Sequence, residues 1–343
     1  MRASRLSDSD ALAAVTQRLR APPLHRLGEW PTPLQRYDHS TLGPILVKRD
    51  DLAKFGGEAR SGVKARKLEG LLEHMVGRKL DTICMPIGNL TNLGPDLVRV
   101  ARGLGITVRL LIVDDPPLPP DLRQATHALY AGSATLCGPN HAAAALKLGM
   151  TAVGYRLRGK RALSVPPSPA HPSAVLGTVR GYLEAMDQSL AQFHQLPRVI
   201  YLASAAGSSI AGFAIGEALM RGAGHPSVRI VAVQVGPEPL RLWLPLLIAW
   251  TRRAARLGDL PRCQVSVIAR GRHAVYGRFD SGHIRLCERV EEVFGLKIDP
   301  IYGGKSWDVM ESEEAGVNED RPPLFWHCGY TPAWRDFAAE LSL

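Results

Sequence analysis

The amino-acid sequence predicts an α/β protein with mostly parallel sheets, and three observations support this class. Short apolar runs rich in β-branched residues have the composition of buried strands. Stretches rich in alanine, leucine and arginine lie between these runs and have helical spacing. The chain has 343 residues, which at roughly 100–200 residues per domain corresponds to about two domains. Strands that alternate with helices form βαβ units, and such units build parallel sheets.

The predicted elements follow one another along the chain. Strands are expected at residues 45–47, 82–85, 107–113, 199–202 and 228–235. Helices are expected at residues 67–77, 93–104 and 211–222. Two segments are predicted to be irregular: the proline-dense stretch 164–172 and the acidic stretch 311–323, which has the composition of a solvated loop.

Charge and hydropathy exclude several classes of protein. The formal net charge is +10, but the basic residues are spread along the chain and no zinc-finger or RNP-type motif occurs. A solvated basic surface, or attraction for small anions, is therefore favoured over nucleic-acid binding. The most apolar run, residues 240–250, is interrupted by Arg241 and Pro245 and is shorter than the roughly 20 residues of a membrane span.

The N-terminal segment and the cysteines indicate the compartment. The N-terminus lacks the apolar core of a signal peptide, so we expect a cytoplasmic protein without membrane attachment. The five cysteines form no C-x-x-C pair, which argues against a zinc or thioredoxin-like site. No metal site is predicted.

The first segment that could carry chemistry is RSGVKARKLE, residues 60–69. A turn of small residues leads into a helix, with Lys64 at the helix start. One interpretation is a basic helix N-terminus, which the helix dipole mildly disfavours. The other is a lysine whose pKa falls beside positive potential, so that it can form a Schiff base. The segment alone favours the first interpretation.

Two further segments each join a predicted strand to a helix. PIGNLTNLG, residues 86–94, places Thr91 and Asn92 at a helix start, where they either cap the helix or bind a carboxylate. SAAGSSIAG, residues 204–212, has small residues whose backbone amides can close on an anion. This second segment is either a tight strand–helix turn or a phosphate cup, and we favour the cup, which contains no lysine of its own.

In this order, the three segments resemble the pyridoxal 5'-phosphate (PLP) enzymes of fold type II, which are tryptophan synthase β-subunit-like. The nearest group is the 1-aminocyclopropane-1-carboxylate deaminase and D-cysteine desulfhydrase family. Further matches run from about Thr32 to Gly329, and they cover most of the chain. They are Thr32-Pro33-Leu34, Lys48-Arg49-Asp50-Asp51, Lys64 to Glu69, Val275-Tyr276-Gly277, Asp299 to Ser306 and Leu324 to Gly329.

The resemblance implies a role for each matched residue. Lys64, rather than Lys67, would hold the cofactor and later move a proton. Thr91 and Asn92 would face the substrate carboxylate or the phenolic oxygen of the cofactor, and Tyr276 and Tyr302 would flank the substrate and assist proton transfer. The phosphate cup would consist of Ala206, Gly207, Ser208 and Ser209, and Cys328 would lie near the cofactor ring.

Several positions depart from the family pattern. Val63 replaces an amide residue beside the cofactor, and Leu90 and Leu93 replace polar residues near the substrate carboxylate. Gly303 stands where family deaminases carry glutamate and desulfhydrases carry threonine, and Cys328 replaces threonine. Without a carboxylate at the pyridine nitrogen the cofactor is a weaker electron sink, which suits elimination better than ring opening.

The resemblance therefore implies a PLP-dependent lyase that acts on a small, non-standard amino acid by α,β-elimination or the related β-replacement. Ring opening of the deaminase type is an alternative. A second hypothesis, motivated by Val63, Leu90 and Gly303, is a protein that keeps the fold but has lost catalysis and serves in binding. Nucleic-acid binding, with steep salt dependence, is a third hypothesis.

The resemblance also implies two three-layer α/β domains with the cofactor between them. Residues 1–66 and 163–343 would form the large cofactor-binding domain, and residues 67–162 the small domain. Closure of the small domain over the substrate is expected. A homodimer is implied by resemblance alone.

Overall fold

The computed structural model describes most of the chain, with short gaps. The described residues are 8–23, 26–55, 59–60, 62–89, 91, 93–115, 117–118, 120, 124, 128, 130, 132–167, 169–236, 239–269, 275–317, 320–331 and 334–335.

The strands form two main sheets and one short hairpin. The larger sheet has the strand order β1-β2-β12-β9-β10-β11, and the smaller has the order β7-β6-β5-β8. The strands are β1 (Leu34–His39), β2 (Gly43–Lys48), β3 (Lys54–Phe55), β4 (Ala59–Arg60), β5 (Thr82–Gly88), β6 (Thr107–Val113), β7 (Ala134–Leu136), β8 (Ala162–Ser164), β9 (Val199–Ser204), β10 (Arg229–Gln234), β11 (Val265–Ile268) and β12 (Leu324–Trp326).

The direction of the strands confirms the predicted fold class. In the larger sheet only β1 and β2 pair antiparallel, while β12, β9, β10 and β11 continue the sheet in parallel. In the smaller sheet β7, β6, β5 and β8 are all parallel. β3 and β4 form the separate antiparallel hairpin.

Helices cover both sheets. They are α1 (Asp8–Arg20), α2 (Val63–Gly77), α3 (Leu93–Gly103), α4 (His141–Leu157), α5 (Pro172–Phe193), α6 (Ser208–Gly222), α7 (Leu240–Ala255), α8 (Ser281–Phe294) and α9 (Gly303–Glu314). Successive residues of β10 show the layering: Ile230 and Ala232 pack towards α5, α6 and α7, whereas Val231 and Val233 pack towards α8 and α9. In the smaller sheet, the core under α2 and α3 is continuous with the strands β5 and β6.

Each predicted strand and helix is present, with shifted boundaries. α2 begins at Val63 rather than at residue 67, so Lys64 lies in its first turn. α6 begins at Ser208, three positions before the expected residue 211. Both shifts have the same cause: the polar and small residues before each apolar stretch already have helical geometry, which hydrophobic periodicity does not reveal.

Both segments that were predicted to be irregular contain regular structure at one or both ends. Ser164 ends β8, and Pro172 begins α5, where its missing N–H leaves no hydrogen bond unmade. α9 continues to Glu314, inside the stretch predicted to be a solvated loop. Two acidic residues there have protein partners: Glu311 accepts hydrogen bonds from Trp307 and Arg289, and buried Glu314 pairs with Arg198.

Within the described residues, no helix has the length and hydropathy that crossing a membrane requires.

Candidate active site

The site is built where α2 begins, against the segment that follows β12. Gly62 precedes the helix with φ of 58°, and a Cβ atom there would lie 1.8 Å from the carbonyl oxygen of Cys328. The next residue, Val63, donates its backbone N–H to that oxygen at 2.9 Å. Glycine is therefore required at position 62, because any side chain would clash with the Cys328 carbonyl and the positive φ disfavours other residues. The close approach lets Val63 bond to Cys328 and so anchors the first turn of α2, which carries Lys64.

One cavity brings together most of the residues singled out in the sequence. It lies at the carboxyl end of β9, where an α/β sheet of parallel strands binds ligands. Its lining includes eight of the candidate site residues: Lys64, Thr91, Ala206, Gly207, Ser208, Ser209, Tyr302 and Cys328. Asn92, and with it Leu90 and Ser61, lies outside the described residues.

The cavity also contains polar residues that sequence reasoning did not assign to it: Lys67, Asp299 and Thr331. The predicted phosphate cup has no lysine of its own, but Lys67 reaches the same cavity from α2. The spacing of Lys64 and Lys67, three positions apart on one helix face, was the signal that could have placed both there.

Burial depresses the basicity of both lysines. The pKa of Lys64 is lowered from its ordinary value by burial, and the negative charges of Asp299 and Asp96 oppose that shift only in part. The pKa of Lys67 falls to about 8, again through burial, with a smaller contribution from the positive charge of Lys64. A lysine of lowered pKa has a larger fraction of the neutral amine, which is the nucleophilic form.

The thiol of Cys328 is not a nucleophile in this site. Burial raises its pKa to about 12, and the nearby carboxylates of Asp50 and Asp299 favour the neutral thiol further. Cys328 thus contributes a neutral, weakly hydrogen-bonding wall to the cavity.

The turn between β9 and α6 has the geometry of an anion cup. Gly207 caps α6 with φ of 81°, and Ser208 and Ser209 begin the helix with buried side chains. The amide groups of the first helical turn lack intrahelical acceptors, and the helix dipole adds positive potential. With Lys67 lining the same cavity, this helix start can hold a phosphate group.

The start of α3 shows the capping arrangement. The hydroxyl oxygen of Thr91 accepts a hydrogen bond from the backbone N–H of Leu93 at 3.3 Å, while Thr91 also lines the cavity. Just before it, Asn89 is buried and donates to Asp114 at 3.0 Å. Thr91 therefore caps the helix and lies beside the cavity at once.

The two candidate tyrosines meet through their hydroxyl groups. The hydroxyl of Tyr302 lies 3.2 Å from that of Tyr276, and their ring centroids are 6.0 Å apart. The ammonium nitrogen of Lys64 lies 5.2 Å from the centroid of the Tyr302 ring. Tyr276 does not line the cavity itself, so Tyr302 connects it to the lysine.

Asp299 holds the backbone around Tyr302. One carboxylate oxygen accepts the N–H groups of Ile301 at 3.1 Å and Tyr302 at 2.8 Å, and the other accepts that of Thr331 at 3.1 Å. Burial nevertheless raises the pKa of Asp299 to about 6. The carboxylate is thus largely ionised at neutral pH, and its partners are mainly backbone amides.

Gly303 has no side chain that could hydrogen-bond to a cofactor ring, and there is little space for one at this position. Gly303 begins α9, and a Cβ atom there would lie 3.0 Å from the Cβ of Ile298. A side chain at this position would therefore require Ile298 to shift by a few tenths of an ångström. Gly303 does not line the cavity, and the polar residues that do line it include Asp299, Cys328 and Thr331.

Sequence relatives and solved structures similar to this chain belong to the same group of enzymes. No family model matches the chain. The chain is 28% identical to the 1-aminocyclopropane-1-carboxylate deaminase of Ralstonia nicotianae, over 91% of this chain and 95% of that protein. It is 26% identical to the bifunctional D-cysteine desulfhydrase/1-aminocyclopropane-1-carboxylate deaminase, mitochondrial, of Arabidopsis thaliana, over 91% of this chain and 79% of that protein.

Solved structures give the same fold. A homologue of 1-aminocyclopropane-1-carboxylate deaminase superposes with a TM-score of 0.75 at 20% identity, covering 98% of this chain and 99% of the other. A pyridoxal 5'-phosphate-dependent aspartate racemase superposes with a TM-score of 0.59 at 14% identity, covering 94% of each chain. The chain therefore has the fold of PLP enzymes of fold type II, as its sequence predicts.

Proposed function

We propose that this chain, a homologue of 1-aminocyclopropane-1-carboxylate deaminases and of a D-cysteine desulfhydrase, is a PLP-dependent lyase. Its substrate would be a small amino acid, and its reaction α,β-elimination or the related β-replacement. The observation that carries the proposal is one cavity that joins a lysine of lowered pKa, Lys64, to a helix start suited to phosphate, at Gly207.

The residues present fit PLP, an aldehyde that carries a phosphate group. Lys64 supplies the amine that can bond to the aldehyde carbon. Lys67 and the amide groups at Ser208 and Ser209 supply positive charge and donors for the phosphate. Tyr302 lines the same cavity, with its ring centroid 5.2 Å from the nitrogen of Lys64.

Bound PLP supplies an electron sink for the electron pair left on Cα when a proton is removed. The protein has to supply the rest. Lys64, whose pKa burial lowers and whose nitrogen lies 5.2 Å from the centroid of the Tyr302 ring, could take the α-proton. Tyr302 and Tyr276, with their hydroxyls 3.2 Å apart, can pass a proton to the group that leaves Cβ.

The surroundings of the cavity favour elimination over ring opening. Gly303 contributes no carboxylate, and the thiol of Cys328 is neutral because burial raises its pKa to about 12. The carboxylate of Asp299 has a pKa of about 6 and is engaged by three backbone amides. Departure of a good leaving group from Cβ needs less stabilisation of the carbanion than ring opening does.

Ring opening is the second candidate function, because the Ralstonia and Arabidopsis relatives both carry the name 1-aminocyclopropane-1-carboxylate deaminase. Both candidates share the cavity, Lys64 and the tyrosine pair. We further propose a cytoplasmic homodimer in which residues 1–66 and 163–343 form the large domain and residues 67–162 the small one.

The test of the cofactor is the absorption spectrum of the purified protein with added PLP. The wild type should show the band of PLP bound to a lysine, and Lys64→Ala should lack it. Lys147→Ala, which removes an exposed lysine on α4, is the matched control and should keep the band. Absence of the band in the wild type with excess PLP would overturn the proposal in favour of a protein without the cofactor.

The test of the reaction uses both enantiomers of small amino acids. Cysteine and serine derivatives should yield a 2-keto acid, ammonia and the group released from Cβ, and 1-aminocyclopropane-1-carboxylate should react more slowly. Preferred turnover of 1-aminocyclopropane-1-carboxylate would select the second candidate. Binding of PLP without turnover of any compound would indicate a protein that has lost catalysis.

A further inference from the structure

A buried lysine outside the cavity is tied to the segment that carries Tyr276. Lys305 lies in the first turn of α9 with no exposed surface, and its ammonium group donates to the carbonyl oxygen of Val275 at 2.8 Å. The same oxygen accepts the backbone N–H of Arg278 at 3.4 Å. Lys305 thus binds the turn of residues 275–278 at the residue that precedes Tyr276.

Asp299 ties together the other side of the tyrosine pair. Its carboxylate accepts the backbone N–H groups of Ile301 and Tyr302, and also that of Thr331 from the segment after β12. Its backbone carbonyl oxygen accepts the N–H of Gly304 at 2.7 Å. The negative charge of Asp299 partly offsets the burial that lowers the pKa of Lys305 to about 8. Lys305 therefore remains mostly protonated at pH 7.

The location of this charge is unusual for a group with only a packing role. A buried ammonium group is costly, and a methionine would fill a similar volume without that cost. Lys305 lies three residues after Tyr302, and its ammonium group donates to the carbonyl oxygen of Val275, the residue before Tyr276. The contact therefore joins the two backbone segments whose side chains meet at 3.2 Å.

We propose that Lys305 is a positioning residue that, with Asp299, holds the hydroxyl of Tyr276 against that of Tyr302. It touches neither the cavity nor its contents and acts through Tyr276. The catalytic consequence rests on the proposed function, whereas the structural consequence does not.

The structural consequence is tested by hydrogen exchange of the backbone amides in residues 276–279. We expect these amides to exchange about ten- to a hundred-fold faster in Lys305→Met, because a hydrogen bond from a charged donor is lost. The measurement is made on the protein as purified and with PLP added. Lys297→Met, which changes an exposed lysine in the same region, should leave these amides unchanged.

The catalytic consequence is tested by a double-mutant cycle with Tyr276→Phe. Lys305→Met should lower kcat about ten- to a hundred-fold, while KM and the PLP absorption band stay near their wild-type values. The double variant should be no slower than the slower single variant, because both substitutions disable the same group. Lys305→Gln keeps an N–H donor at that position and should recover part of the rate. It replaces Lys305→Met in these measurements if that variant does not fold.

Each alternative result has a defined meaning. Unchanged exchange at residues 276–279, or losses that multiply in the double variant, would overturn the positioning role. A fall in the affinity for PLP with kcat unchanged would overturn it as well. If the wild type turns over no amino acid, the proposed function fails, but the exchange measurement still decides whether Lys305 holds the segment.

Discussion

Cationic side chains within a few residues of each other on α2 differ in their pairing and in the direction of their pKa shifts. Arg66 is buried and paired: its guanidinium donates to Asp50 at 2.8 and 3.0 Å and to Glu184 at 2.8 and 3.0 Å. Burial alone would lower its pKa, but the two carboxylates raise it above the ordinary value. Arg66 is therefore a permanent charge, and it ties α2 to α5 and to the turn after β2.

Lys64 and Lys67 flank Arg66 in sequence and face the cavity. Among the described residues, no carboxylate lies within ion-pair distance of either lysine, so burial lowers both pKa values. Pairing with carboxylates therefore distinguishes a structural cation from a reactive one. Fully paired charge fixes the helix, and weakly compensated charge leaves an amine that can react or bind an anion.

The largest effect on stability should come from Arg66→Met. Removal of the guanidinium leaves the buried Asp50 carboxylate without its main partner, which costs about 3–5 kcal/mol of the free energy of unfolding. Denaturant unfolding of the variant and the wild type measures the difference. A loss below about 1 kcal/mol would contradict the structural role assigned to this cation.

The pH dependence of stability should reverse in the same variant. In the wild type the pKa values of Asp50 and Glu184 lie below their ordinary 3.8 and 4.5. Their stabilisation is present above about pH 4.5 and is lost as pH falls through the lowered values. In Arg66→Met the buried carboxylate of Asp50 keeps its hydrogen bonds from Thr32 and Trp326 but loses the guanidinium charge. Burial should then raise its pKa, so the deficit in the free energy of unfolding should shrink between pH 7 and pH 5. A deficit independent of pH would show that Asp50 is not desolvated.

Lys67→Met is the matching substitution for the cations that face the cavity. It should leave Tm unchanged or higher, because it removes a buried charge that no carboxylate in the described part of the chain pairs. The affinity for PLP should fall about ten- to a hundred-fold, since a charge-assisted contact to phosphate is lost. Equilibrium titration with PLP gives the affinity, and a destabilised variant with normal PLP affinity would reverse the assignment.

The free Lys67 amine also predicts a pH dependence of binding. Its pKa of about 8 means that the positive charge is present below that value and is lost as pH rises through it. Affinity for inorganic phosphate, used as a competitor of PLP, should therefore fall between pH 7 and pH 9. Lys67→Met should show a flatter profile, and equal slopes in both proteins would exclude Lys67 from the phosphate site.

The smallest effect is expected for a cation paired at the surface. Arg20 forms an ion pair with Asp187 at 2.8 Å, with both side chains about 40% exposed. Solvent screening limits such pairs to about 0–1 kcal/mol. Arg20→Ala should therefore change the free energy of unfolding by less than about 1 kcal/mol, and a loss as large as that of Arg66→Met would show that burial does not govern these pairs.

The sequence predicted the parallel sheets and the strand–turn–helix segments because periodicity and small residues are local signals. Through the order of motifs it also singled out Lys64 and the α6 start, which line one cavity in the structure, while their roles stay predictions. It did not place Lys67 or Asp299 there, because their positions depend on how α2 and the turn before α9 pack in three dimensions. The helical part of the acidic stretch was missed for a similar reason: Glu314 finds Arg198, a partner distant in sequence.

The catalytic roles of Tyr276, Tyr302 and Thr91 stay predictions. Their side chains meet or line the cavity as the resemblance implies, but proton transfer depends on a bound substrate. Asn92 lies outside the described residues, so its role also rests on the motif.

The central claim is that Lys64, rather than its neighbour Lys67, bonds to PLP. The most direct measurement is reduction of the PLP-loaded protein with borohydride, followed by proteolysis and mass spectrometry of the α2 peptide. We predict a stable phosphopyridoxyl group on Lys64 at close to one per chain, and an unmodified Lys67. A label on Lys67, or labels scattered over exposed lysines such as Lys147, would contradict the claim.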